Sequence, residues 1–385
     1  MTSKLASALP TLRVDQVGSL LRPASLKDAF TRHSQGQMDD AALRAAQDEA
    51  VRQTIGRQEA IGLPILTDGE LRRLNFQDSF GSSVSGFAAT SNTISFNEQR
   101  VAGGAPGQRW DPGYHGDGPA VLHRRPVSDR LRLIQNQPLD EYRFASALTT
   151  RPVKTTLIGP DRIIQRYDYA GSRAVYPELS DFVADLIAIQ RQMIGALADA
   201  GCRYVQIDAP GYTAYVDAPS LEQMRSRGED PDANLARSMA ADNAVIAEFP
   251  DLVFGIHLCR GNQAGMWHRE GPYDAIAERL FTTLRHQRLL LEYDTERAGG
   301  FAPLRFVPRD KIVVLGLVST KTALLETADD LKRRIEEASR YLPVEQLALS
   351  PQCGFASDIV GNPLSEDDQW RKLALVQEVA SQVWG

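Results

Sequence analysis

The feature that most constrains this chain is an alternation, repeated eight times, of short apolar runs with amphipathic stretches. Runs of strand length and apolar character lie at residues 12–17, 64–67, 153–158, 204–207, 252–256, 288–291, 311–315 and 346–349. Between several of them apolar residues recur at helical spacing, as at Phe182, Leu186, Ile189, Met193 and Leu197. Helices are predicted over 39–61 with Gly62 as the stop, and over 178–200, 231–248, 273–284, 328–341 and 366–383. Such repetition packs as parallel β/α units, and eight of them predict an α/β protein with the (β/α)8 TIM-barrel architecture. The 385 residues then form one barrel spanning 1–385, with a long insert after the second strand. Over 81–126 Gly, Ser, Asn and Pro dominate and no periodicity survives, so a lid or a hairpin is expected there.

Composition narrows the function. The net charge of −6 argues against a nucleic-acid partner, which calls for a basic surplus. No apolar run approaches the roughly 18 residues of a membrane span. The first dozen residues carry one lysine and no long apolar core, so no signal peptide is expected. Only Cys202, Cys259 and Cys353 are present, an odd and sparse set that excludes a disulfide framework and fits the cytoplasm.

In a barrel of this kind the C-terminal strand ends open into one mouth. Here those ends carry Ser19, Glu70, Asp208, His257, Cys259, Glu292 and Cys353. His257 and Cys259 are two residues apart, so on an extended chain they face the same way and can reach one metal. Cys353 follows another strand and Glu292 closes a third. Two sulfurs, an imidazole and a carboxylate suit tetrahedral zinc. Cys202 precedes its strand and is expected to be a core residue at the opposite end, and His268 is expected at the surface.

Five segments make the reading more specific. They are Val17-Gly18-Ser19-Leu20-Leu21-Arg22-Pro23, Thr67-Asp68-Gly69-Glu70, Gln206-Ile207-Asp208, His257-Leu258-Cys259-Arg260 and Ser350-Pro351-Gln352-Cys353-Gly354. In this order they resemble the catalytic barrel of cobalamin-independent methionine synthase, over nearly the whole chain. The short members, without the duplicated N-terminal barrel, match best. The resemblance implies a zinc cofactor on His257, Cys259, Glu292 and Cys353, with Glu292 the ligand most easily displaced by a substrate thiol. It implies homocysteine as that thiol, its carboxylate met by Gly18 and Ser19 and its ammonium by Glu70 and Asp208. It also implies methyl-folate as the methyl donor and methionine as the product.

The donor side departs from the pattern. Ala209 stands where the family usually has an acidic residue. No Trp follows the third predicted strand, where the family stacks one on folate and where Arg166 lies here. Leu317-Val318-Ser319-Thr320-Lys321 holds no His where the family has one suited to protonating the leaving nitrogen. Tyr212, Tyr215, Arg166 and Lys321 are candidates to shape that side, and Arg260 is a candidate for an anionic group on the thiol or for a rim salt bridge. Three readings therefore stand. The first is the folate-dependent methyltransferase. The second is a zinc-dependent thiol alkyltransferase with another electrophile, resembling the epoxyalkane–coenzyme M transferases, or using a corrinoid methyl donor. The third is a zinc-binding barrel that senses or carries a thiol metabolite.

Overall fold

A computed structural model describes residues 9–88, 106–110 and 125–385. In chain order its strands are β1 (Val84–Phe87), β2 (Val127–Leu133), β3 (Thr155–Ile158), β4 (Tyr204–Asp208), β5 (Val253–Leu258), β6 (Arg288–Glu292), β7 (Ile312–Val318) and β8 (Leu347–Pro351). Strands β3 to β8 form one parallel sheet in sequence order, and every residue in them is buried. A strand buried on both faces reads as a continuous apolar run, which is why these six were visible in the sequence. The pairing of Ile158 with Asp208 and of Asp208 with His257 brings the C-terminal strand ends to one level.

The first two predicted strands are much reduced. Residues 12–17 contribute one parallel bridge, Val14 to Leu349, and 64–67 contribute another, Leu66 to Val153. The side chains of Asp15 and Gln16 explain part of this. Asp15 is drawn to Lys154, Tyr204 and Arg288, and Gln16 Nε2 donates to Gln58 Oε1 and to the Ile65 carbonyl. The two segments still meet each other, through Leu20 N to Gly69 O at 2.9 Å and Thr67 Oγ1 to Gly18 O at 2.8 Å. Eight segments therefore follow one another round the sheet as expected, six as strands and two as single bridges.

The helices follow from their caps. Asp39 accepts from Ala42 N to start Asp40–Ile61, and Gly62 ends it at φ 86°, a left-handed conformation that glycine adopts without strain. Ser365 and Asp368 form a capping box at the start of Glu366–Trp384. The helix expected over 273–284 divides into a short 3-10 turn, Tyr273–Ala275, and a helix, Ala277–Thr283. Tyr273 is fully buried and donates to the Leu258 carbonyl, so it is anchored to the end of β5.

Strands β1 and β2 pair antiparallel, Val84 with Leu133, and stand at the two ends of the expected insert. Most of 81–126 lies outside the described residues. Within it, 106–110 dock on the segment after β5: Gly107 N donates to Gly265 O and Trp110 N to Trp267 O.

The N-terminal end of the sheet is closed by buried polar groups. Lys154 Nζ donates to Asp15 Oδ1 and Gln206 Oε1, both at 2.7 Å. Tyr204 donates its hydroxyl proton to Asp15 Oδ2 at 2.7 Å, and Arg288 donates to the same oxygen. The Asp15 carboxyl stays below its ordinary range against its burial, because Lys154 and Arg288 flank it. Cys202 lies at this end, fully buried before β4, with its thiol pushed up to about 11 by burial.

Candidate metal centre and cavity

At the opposite end of the sheet a cavity of about 120 Å³ opens. His257, next to last in β5, and Cys259, just past it, enter it together with Cys353, which follows β8. One ligand atom from each of these three residues lies within 4.8 Å of the others, and all three are buried. The loop geometry that delivers Cys353 is tightly tied. Gln352 N donates to Val318 O, its side-chain oxygen accepts from Thr320 Oγ1 at 2.6 Å, and Gly354 O accepts from Asn262 Nδ2 at 2.8 Å. A Cβ at Gly354 would lie 1.8 Å from Ser19 Oγ, so only glycine lets the Cys353 loop approach the Ser19 segment this closely.

The donor chemistry fits a metal such as zinc. His257 Nε2 is buried without a hydrogen-bond partner among the described residues. Burial, then the nearby Lys154, pushes its imidazole down to about 3, so it is held in the neutral form that ligates metals. The two thiols hydrogen-bond to each other. That bond lowers Cys259 and raises Cys353, so the pair readily holds one thiolate.

Glu292, the fourth expected ligand, lies outside this group of three. Its Oε2 accepts from Arg260 N at 2.5 Å and its Oε1 pairs with Arg297. Burial opposes its charge, but Lys321, Arg297 and Arg260 hold the carboxyl below its ordinary range. It remains close enough to act electrostatically on both cysteines.

The four expected substrate contacts divide three to one. Ser19, Glu70 and Asp208 line the cavity. Gly18 does not appear on its wall; its φ of +139° and a Thr156 methyl 2.8 Å from where a Cβ would sit give it a conformational role. Glu70 has a left-handed backbone at φ 55°. Its Oε1 accepts from Thr156 Oγ1 at 2.6 Å and lies 3.4 Å from Arg73, while its Oε2 is buried without a partner among the described residues. Asp208 Oδ1 accepts from Gln206 at 2.7 Å, and burial together with Glu70 pushes its carboxyl well above the ordinary range. Two crowded carboxyl groups with an open oxygen suit a cationic partner.

Three expectations change. His268 is not a surface residue: it lines the cavity, its backbone N–H held by Arg260 O and its ring 5.8 Å from that of Trp110. Gly261 makes room for it, since a Cβ there would lie 2.4 Å from His268 Cδ2. Burial and the neighbouring Arg269 and Arg162 push this imidazole down to about 3. Arg260 faces neither substrate nor rim. It is fully buried and donates to the carbonyls of Gly271, Glu292 and Ala298, which fixes the β5 and β6 ends. Tyr212 and Tyr215 point inward to Asp242 and Ser238. Arg166 donates to Gln77 and Lys321 to the Gly261 carbonyl.

The sequence reading missed Arg162 and Arg269, which also line the cavity. Arg162 lies four residues beyond the end of β3, so its place after a strand was the available signal.

No protein-family model matches the chain. It is 33% identical over 377 residues to the uncharacterized protein YxjH of Bacillus subtilis (strain 168), covering 97% of this chain and 94% of that one. It is 25% identical over 354 residues to the methionine synthase of Saccharolobus solfataricus, covering 91% and 90%. Among solved structures it superposes with a TM-score of 0.74, at 26% identity, on a Listeria monocytogenes protein assigned as a vitamin-B12-independent methionine synthase, covering 97% and 98%. Shared fold, near-complete coverage and motif order agree, and the chain belongs to the cobalamin-independent methionine synthase family.

Proposed function

We propose that the protein is a zinc-dependent thiol methyltransferase that forms methionine from homocysteine and a methyl-folate. The observation that carries this reading is the buried group of His257, Cys259 and Cys353, on a cavity that also presents Ser19, Glu70 and Asp208. The three residues would hold the metal, and Glu292 would complete the set once its carboxylate leaves Arg297. When bound, zinc lowers the pKa of an incoming thiol so that the sulfur is a thiolate at neutral pH.

The chain's own groups do the rest. Glu70 Oε2 and the Asp208 carboxyl take the ammonium of the amino-acid thiol, and its positive charge offsets the burial and the Glu70 charge that push Asp208 up. Ser19 meets the carboxylate. Holding the sulfur and the methyl carbon in line supplies much of the rate. The leaving nitrogen needs a proton, and His268, held neutral, does not carry one ready to give.

The test is direct. Zinc-loaded protein should form methionine from homocysteine with methyl-folate carrying one or several glutamates, and cobalt-substituted protein should change its absorption when homocysteine is added. No methionine from any of these donors overturns the reading. The rebuilt donor side favours one second reading, a different electrophile on the same thiolate. A shifted cobalt spectrum without methionine points to it, whereas thiol binding without turnover of any donor points to a sensor.

A further inference from the structure

The cavity has two poles of opposite charge, and the proposed function uses only one. The acidic pole is Glu70 with Asp208; the charges acting most strongly on Asp208 are Glu70, Lys154 and Arg73. The basic pole is Arg162 with Arg269; the charges acting most strongly on Arg162 are Arg269, Arg166, Asp161 and Cys259. Cys259 is thus among the groups that act on Arg162, and Glu70 and Asp208 are not among the strongest of them.

Arg162 is held at a physical disadvantage. A guanidinium is always charged, and burying it unpaired is costly. Its Nε is shut off from solvent and has no hydrogen-bond partner among the described residues. Its neighbours include two more arginines, while Asp161 beside it accepts from Gln165 and is itself pushed up to about 6 by burial. Arg269 is better anchored, donating to the Pro210 carbonyl at 2.6 Å. Inside one cavity, an arginine with no ion pair among the described residues beside an anchored arginine describes half of an ion pair.

We propose that Arg162 and Arg269 form an oxyanion subsite that takes a carboxylate or phosphate group of the second substrate, the methyl donor. This deepens the proposed function, on which the assignment to the donor rests. The thiol's ammonium goes to the acidic pole and its sulfur to the cysteines, so nothing of the thiol remains for the basic pole except its carboxylate, for which Ser19 is placed.

The experiment compares wild type with Arg162→Gln. With 5-methyltetrahydrofolate as donor, the substitution should raise the donor KM by about 10- to 100-fold, the worth of a charge-assisted hydrogen bond, and leave the homocysteine KM unchanged. With 5-methyltetrahydropterin, which lacks the glutamyl carboxylates, the two proteins should have the same KM. A rise in the homocysteine KM instead would assign the pole to the thiol and overturn the proposal. A binding measurement separates this from the activity itself: p-aminobenzoylglutamate, followed by calorimetry, should bind wild type and bind the variant about 10- to 100-fold more weakly. That result stands even if no methionine is formed, in which case the methyl-folate reaction fails and the subsite survives. Equal binding overturns the subsite. Melting temperature guards against a scaffold role: it should hold or rise in the variant, whereas a fall with unchanged probe binding makes Arg162 structural and overturns the proposal.

Discussion

The two ends of the sheet handle buried charge in opposite ways. At the N-terminal end Asp15, Lys154, Tyr204 and Arg288 bond to one another, with both cations sharing Asp15 and both of its oxygens bonded. At the C-terminal end Glu70 Oε2, His257 Nε2, Asn262 Oδ1 and Arg162 Nε are all buried without partners among the described residues. Low dielectric makes a satisfied network strong and an unsatisfied group expensive. The Asp15 network is therefore built for stability, and the cavity keeps groups waiting for partners from outside.

The sharpest break of this contrast is at the metal group. Cys353→Ser should abolish tight zinc binding and all turnover while unfolding and circular dichroism stay near wild type, because a catalytic site can lose its metal without losing the barrel. Unchanged metal content would remove Cys353 from the ligand set. Unfolding of the wild type by a chelator would instead make the site structural.

At the satisfied end the effect falls on stability. Asp15→Asn leaves Lys154 and Arg288 buried without their counter-charge and should cost about 3–5 kcal/mol in denaturant unfolding, with the activity of the folded fraction retained. A loss below about 1 kcal/mol would show that the network does not stabilise the fold.

Asp208→Asn, at the mouth, should weaken homocysteine by about 10- to 100-fold in KM without lowering stability, since it replaces a carboxyl that burial disfavours as an anion. Lost stability with an unchanged KM would move Asp208 to the scaffold.

The last effect is read in pH. Asp161 is raised from 3.8 to about 6 by burial, so its contribution to folding is fully present below about pH 4 and is lost as pH rises through 6. The shift corresponds to about 3 kcal/mol, and Asp161→Asn should flatten the stability profile between pH 4 and 6. An unaltered slope would place the titration elsewhere.

Much of this was legible in the sequence because the barrel makes position along the chain equivalent to position in space. A residue at the end of a buried strand faces the mouth, so His257, Cys259, Cys353, Ser19, Glu70 and Asp208 could be placed on the cavity from spacing and motif order alone. The buried strands β3 to β8 were readable for the same reason, as apolar runs. Periodicity says nothing of where polar side chains go once the backbone bends. Asp15 and Gln16 sit in an apolar-looking run, yet their buried partners lie far along the chain and reduce that run to a single bridge.

The sequence by itself determined the α/β repeat, the order of the strand ends, the family motifs and the cysteines that could share a metal. Only the tertiary structure decided which groups are paired. It turned Glu292 toward Arg297, spent Arg260 on carbonyls and moved His268 from the surface into the cavity. It also set Arg162 and Arg269 on the cavity. The reason is that pairing depends on distances between segments far apart in the chain, and a local pattern carries no record of them.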